Sequence, residues 1–153
     1  MRAVLQRVKQ ARVEVDGRIT GSIGPGMVVL LGIARWDTVS DAEYLVEKIS
    51  NLRIFHDENG KMNRNVREAQ GGLLLVSQFT LYGDCSRGRR PGFDDAAPAA
   101  EARVLYEYFV ARAAQTGIPV ATGVFQASMS LHLENDGPVT LICESPKRAS
   151  PLK

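Results

Sequence analysis

Histidine, cysteine and tryptophan are scarce in this chain: two His, two Cys and one Trp in 153 residues. His56 lies in the polar turn "FHDENG" and His132 in the alternating stretch "SMSLHLEN". Neither stands beside a nucleophile motif, so a Ser-His-Asp or Cys-His arrangement has no footing in the sequence. Cys85 and Cys143 have no metal-type spacing, and no His, Cys and Glu group has the spacing of a zinc site, so no metal and no cofactor are expected. The cysteines read as reduced thiols in a cytoplasmic protein, with a disulfide between them left open. There is no Walker loop and no dinucleotide fingerprint; Gly24-Pro25-Gly26 is too short for either and reads as a turn. The longest apolar run, "MVVLLGIA", is far shorter than the roughly 20 residues a membrane helix needs. Met1-Arg2 runs into "AVLQRV" with no leader-like apolar region, so no membrane association is expected. The net charge of +2 is too small to mark a nucleic-acid binder; local clusters of charge matter more.

What is present is strand-rich. "RVEVDGRITGSI" alternates on both sides of Asp16-Gly17 and predicts a hairpin with a tight turn. "GPGMVVLLGI" and "GGLLLVSQFTLYG" each carry a continuous apolar run expected of a buried strand. Ser40 to Leu52 predicts a helix, with Ser40 as cap, Glu43 completing a capping box, and Ala42, Leu45, Val46, Ile49 and Leu52 on one face. "RIF" predicts a short strand and "HDENGK" a turn. A second helix is expected from about Pro98 to Thr116, with Leu105, Phe109 and Ala113 in register and Gly117 and Pro119 stopping it. "SMSLHLEN" predicts a strand with Met129, Leu131 and Leu133 on one face and a solvated His132 opposite; "VTLICES" predicts the last strand. Elements in this order do not make a regular βαβ series. The expected fold is α+β: one domain over 1–145, a mixed or antiparallel sheet with two helices on one side. A basic tail over 146–153, "PKRASPLK", is expected to be disordered.

Three stretches are candidates for function. "SQFT", Ser77 to Thr80, puts polar groups at the end of a core strand, where sites are often built; equally, Ser77 and Thr80 can satisfy local backbone groups with Phe79 as core. "ENDGPVTLICES" holds Gly137-Pro138 between two strand patterns, which local chemistry reads as a turn; an X-Pro bond is cis in only about 5–6% of folded cases. "CSRGRRPGF" gathers Arg87, Arg89 and Arg90, which can contact phosphates or form a solvated loop.

Together these stretches resemble the D-aminoacyl-tRNA deacylase family. "SQFT" and "NDGPVT" are similar to its two signature motifs, and "MRAVLQRV", "VDGRITGSIGPGMVVLLGI", "NLRIF", "GKMN", "VSQFTLYGD" and "GRRPGF" follow in its order and spacing. The resemblance implies a barrel-like fold and a homodimer that hydrolyses the ester between a D-amino acid and the 3′-terminal adenosine of tRNA, with glycyl-tRNA as a further substrate. It implies a cis Gly137-Pro138 element that projects into the partner subunit's site, where its carbonyls engage the substrate's α-amino group and exclude an L side chain. It assigns Ser77, Gln78, Phe79 and Thr80 to the catalytic strand end, with Phe79 and Thr80 N–H groups on the oxyanion. It makes Arg7 a brace for the Gly-Pro element, with Met129, Asn135 and Thr140 as supporting residues. Arg87, Arg89 and Arg90 would touch the acceptor stem. Thr80 is read as non-covalent, because no base adjacent in sequence would activate its hydroxyl. Two departures stand out in "GVFQASM": Gln126 where Gly or Ala is expected, and Ser128 where an acidic residue is frequent. A deacylase retuned in amino-acid preference and a non-catalytic nucleic-acid-binding module are the alternatives.

Overall fold

The computed structural model describes residues 1–146; Lys147 to Lys153, most of the stretch expected to be a disordered tail, lie outside the described residues. Eight strands and two helices follow in the order β1 (Arg2–Val15), β2 (Arg18–Ile23), β3 (Gly26–Gly32), α1 (Val39–Asn51), β4 (Phe55–His56), β5 (Met62–Arg64), β6 (Gly72–Ser77), α2 (Ala99–Gln115), β7 (Val120–Thr122) and β8 (Ser130–Glu144). A 3₁₀ turn, Phe79–Tyr82, follows β6.

The main sheet runs β2-β1-β3-β6-β7, with β8 along the other edge of β1. β3–β6 and β6–β7 are parallel; the pairs made by β1 are antiparallel. The sheet curls until β2 meets β7: a Cβ on Gly21 would lie 2.3 Å from the carbonyl oxygen of Thr122, so only glycine lets this near-closure form. Asp16 and Gly17 both have positive φ, 50° and 75°, as the tight β1–β2 turn requires.

The apolar runs of β3 and β6 are continuous because the sheet is buried on both faces. Met27, Val29, Leu31, Leu73 and Leu75 face the helices, while Val28, Leu74 and Val76 fill the inside of the curl with Val8, Ala11 and Val13. The helices meet that first face with Ala42, Leu45, Val46 and Ile49 from α1 and Ala102, Tyr106, Phe109 and Ala113 from α2. The Tyr106 hydroxyl donates to the carbonyl of Leu75 at 3.0 Å, and burial pushes its pKa up to about 12, which keeps it a donor. Gly117, at φ 81°, ends α2 as expected.

Three local expectations are corrected. The cap of α1 is Thr38, not Ser40: Asp41 accepts from the Thr38 N–H at 2.8 Å and from its hydroxyl at 3.1 Å. Asp41 is the third helical residue and its short side chain reaches back to the cap, which makes Ser40 an ordinary first-turn residue. The short strand is Phe55–His56 rather than "RIF", because the pairing with Met62–Arg64 starts only at Phe55. "SMSLHLEN" and "VTLICES" are parts of one strand, β8, and Leu133 on it is exposed.

Asp41→Ala is expected to cost about 1–2 kcal/mol of stability and Ser40→Ala less than about 0.5 kcal/mol. Urea unfolding of the two variants checks this, and equal losses would return the cap to Ser40.

Candidate active site

β6 ends where its environment changes. Leu73, Leu74, Leu75 and Val76 are buried, Ser77 is half-buried, and the Gln78 N–H still follows the sheet by donating to the carbonyl of Leu31 at 2.8 Å. The chain then leaves the sheet as the 3₁₀ turn. As the first residues of that turn, Phe79 and Thr80 have N–H groups without a carbonyl partner inside it. The Gln78 side-chain amide donates to the Thr80 hydroxyl, which is exposed. Phe79 is 57% exposed, so it is not the core residue that one reading of "SQFT" allowed; it packs edge-on against Phe93, centroids 5.2 Å apart.

"NDGPVT" is not a turn between strands. Asn135 pairs with Val8 and Thr140 with Gln6, so Asp136, Gly137, Pro138 and Val139 bulge out of β8 opposite the single residue Arg7. The Gly137-Pro138 bond is cis, and both residues are exposed. Arg7, only 3% exposed, holds the bulge from beneath: its Nε donates to the Asp136 carbonyl at 3.0 Å and lies 3.4 Å from the Asp136 carboxylate, while Nη1 donates to the carbonyl of Ile54. The Thr140 hydroxyl donates to Gln6 Oε1 at 2.6 Å and pins the far side. Gly137 has φ 122°, and a Cβ there would sit 3.0 Å from Arg7 Nη2.

Within one chain the two stretches are far apart. Arg7 pairs with Met27 and Met27 with Leu73. The bulge is therefore level with Leu73, roughly 13 Å along the strands from Ser77 and about 14 Å across three strand spacings.

A pocket of about 610 Å³ opens beside the end of β6. Ser77, Gln78, Phe79 and Met129 line it with Leu31, Ala102, Phe125 and Gln126, among others; Thr80 and the Asn135–Thr140 stretch do not. Sequence reasoning missed three participants. Phe93 shields Phe79, Phe125 forms a wall, and Arg103 holds that wall with its guanidinium 4.7 Å from the Phe125 ring. The only sequence signal for Arg103 is its i,i+4 spacing to Glu107, which says nothing about a pocket. At the anomalous position in "GVFQASM", Gln126 has φ 64°, the conformation glycine adopts without strain.

The arginine stretch is exposed and closed at its base by paired Asp84 and Gly92, with backbone bonds of 2.7 and 2.9 Å. Arg87 and Arg90 share a separate cleft of about 310 Å³ with Tyr82, Asp84, Asp94 and Asp95; Arg89 is not on its wall. Hydrogen bonding from the Ser86 side chain and then from its backbone N–H holds the Asp84 carboxyl below the usual range, so this cleft is mixed in charge rather than purely basic. His132 is exposed beside Glu14, as expected, and among the described residues no group of His, Cys, Asp and Glu is arranged to hold a metal. No described helix is long and apolar enough to cross a membrane.

Comparison with known proteins identifies the family. The family described as D-Tyr-tRNA(Tyr) deacylase matches residues 4–144. A D-aminoacyl-tRNA deacylase of Geobacter sulfurreducens is 57% identical over 150 residues, 98% of this chain and 99% of the relative. One from Thermosipho melanesiensis is 57% identical over 96% of this chain and 99% of the relative. A solved structure, a c-Myc DNA unwinding element binding protein, superposes with TM-score 0.90 at 42% identity, covering 96% of this chain and all of that one. The chain therefore belongs to the D-aminoacyl-tRNA deacylase family, hydrolases that cleave the ester of D-aminoacyl-tRNA.

Proposed function

We propose that this chain removes D-amino acids, and glycine, from the 3′-terminal adenosine of tRNA in a site completed by a second copy. The observation that carries the second copy is the separation of the two signature stretches. Ser77–Thr80 and Gly137-Pro138 are too far apart in one chain to touch one aminoacyl group. The exposed Gly-Pro bulge of one subunit reaching the strand end of the other resolves that distance. The domain over 1–145 would be the working unit, acting in the cytoplasm where tRNA is charged.

In this reading the pocket beside Ser77 and Met129 receives the terminal nucleoside. The ester then lies at the strand end, where the N–H groups of Phe79 and Thr80 stabilise the developing oxyanion. Gln78 holds the Thr80 hydroxyl. The ester is labile and the neighbouring ribose hydroxyl assists its hydrolysis, so positioning supplies most of what the reaction needs. The carbonyls of Gly137 and Pro138 engage the α-amino group and leave space at the α-carbon for hydrogen but not for an L side chain. Arg7 positions that filter, with Asn135 and Thr140 fastening its flanks to β1. Arg87, Arg89 and Arg90 contact acceptor-stem phosphates, against the opposing charge of Asp84, Asp94 and Asp95.

Purified protein is expected to deacylate D-tyrosyl-tRNA and glycyl-tRNA rapidly and to leave L-tyrosyl-tRNA at its buffer rate. Tight RNA binding with no hydrolysis would favour the binding-module reading instead. Thr80→Ala is expected to lose about tenfold or less, the equivalent of one hydrogen bond, with no acyl-enzyme burst; a collapse by many orders of magnitude would restore a covalent Thr80. Gly137→Ala forces a Cβ towards Arg7 at positive φ and is expected to slow D-ester hydrolysis at least about tenfold, with circular dichroism showing the sheet intact. Light scattering run beside the assay should find activity only in the dimer; an active monomer would remove the shared site.

A further inference from the structure

Gln126 keeps a side chain where the backbone favours glycine. At φ 64° it pays on the order of 1 kcal/mol that glycine would not. Its side chain is held in one orientation. Arg103 Nη2 donates to Gln126 Oε1 at 3.2 Å. A guanidinium only donates, so the amide oxygen must face Arg103 and the NH₂ must face away from it. Arg103 is steadied in turn: its guanidinium lies over Phe125, 3.9 Å separates it from Glu107, and Phe125 leans on Tyr106 with centroids 5.5 Å apart. Among the described residues Gln126 Nε2 has no hydrogen-bond partner.

The pocket gives that free amide a use. Its walls are apolar apart from the side chains of Ser77, Gln78 and Gln126, and one N–H of the Gln78 amide is committed to Thr80. Ser77 and Gln78 stand at the strand end, where the ester is proposed to lie. Gln126 comes from a different segment, next to Phe125 and Ala127. An apolar pocket that carries, away from the strand end, an uncommitted amide donor on Gln126 suits a purine, whose faces are apolar and whose edge presents ring-nitrogen acceptors. We infer that Gln126 is a specificity-determining residue for the nucleoside end of the substrate: its Nε2 donates to a ring nitrogen of the terminal adenine, and Arg103 sets the direction of that donor. This rests on the proposed seating of the terminal adenosine in this pocket. It concerns recognition of the base, not of the amino acid.

Steady-state deacylation of D-tyrosyl-tRNA tests it with wild type, Gln126→Gly, Gln126→Glu and Arg103→Ala. The substrates end in adenosine or in its 1-deaza, 3-deaza or 7-deaza analogue. Gln126→Gly is expected to raise KM about 3–10-fold, the equivalent of one hydrogen bond, with kcat within about twofold. Its melting temperature should hold or rise, since glycine relaxes φ, so a loss of binding is not a loss of fold. Gln126→Glu, an acceptor where a donor is needed, should do no better, and Arg103→Ala should raise KM less than Gln126→Gly. One deaza analogue should cost wild type a similar factor and cost Gln126→Gly nothing further. An unchanged KM in Gln126→Gly, or deaza effects independent of residue 126, overturns the inference, as does a change of oligomeric state with KM untouched.

A second measurement does not need hydrolysis. Titration of wild type with adenosine 5′-monophosphate should move the Gln126 side-chain NH₂ resonances saturably in a ¹⁵N spectrum; resonances that stay still overturn the inference. If wild type is inactive but these resonances move, the hydrolytic reading fails and the base contact stands. If wild type is active and neither KM nor the resonances respond, the base contact alone fails.

Discussion

A buried guanidinium organises the molecule. Arg7 is nearly inaccessible and always charged, so its N–H groups must find acceptors inside the protein. They find two backbone carbonyls from distant segments, Ile54 before β4 and Asp136 in the middle of β8, with the Asp136 carboxylate alongside. Neither segment has regular structure at that point to satisfy its carbonyl, so cation and carbonyls complete one another. The residues on either side of Arg7, Gln6 and Val8, pair with Thr140 and Asn135. One short stretch of β1 therefore fixes both ends of the Gly-Pro bulge and supports it from below.

The strand end at Ser77 is positioned by a different device. β6 is the central parallel strand, covered by helices on one face and by the inside of the curl on the other. Its apolar residues cannot shift register without exposing one core or opening the other. The first half-buried polar side chain after that run stands in a fixed place, and the 3₁₀ turn begins there. The pocket wall opposite depends on α2, where Tyr106 is bonded to the Leu75 carbonyl of β6 and touches Phe125. Helix, strand and pocket segment are thus joined through one phenol.

Elements carried by periodicity were legible from the chain alone. Both helices, the hairpin at Asp16-Gly17 and the two buried strands follow from local chemistry, and the structure places them within a residue or two. The cap of α1 was misread because Thr38 and Ser40 are equally good caps in isolation, and only the reach of Asp41 separates them. The Gly-Pro stretch defeated local reading for a deeper reason. A proline before a β-branched run looks like a break between strands, and only pairing with β1 on both sides makes it an excursion within one strand. Phe79 looked like possible core because an aromatic after an apolar run usually is; its exposure follows from the chain leaving the sheet at Gln78. The positive φ of Gln126 has no signature in a single sequence, and the contacts of Arg103 are set by tertiary packing. The resemblance of the motifs supplied what local rules did not, the expectation that Gly137-Pro138 is a cis element.

The pairing of β1 with β8 also has a mechanical side. The Ser145 N–H donates to the Met1 carbonyl at 2.9 Å, and the pairing proceeds from Arg2–Glu144 inward to Gln6–Thr140 before it meets the bulge. The strands are antiparallel and their outer ends are neighbours, so a pull applied between those ends loads the ladder one hydrogen bond at a time rather than shearing all of them together. The corner is clamped before the ladder can open: the Met1 ammonium is paired with the buried Asp37 carboxylate at 2.5 Å, and Arg2 bonds both Glu144 and the Leu81 carbonyl. Past that clamp, the next obstacle of another kind is Arg7, whose bonds to two separate segments must break together.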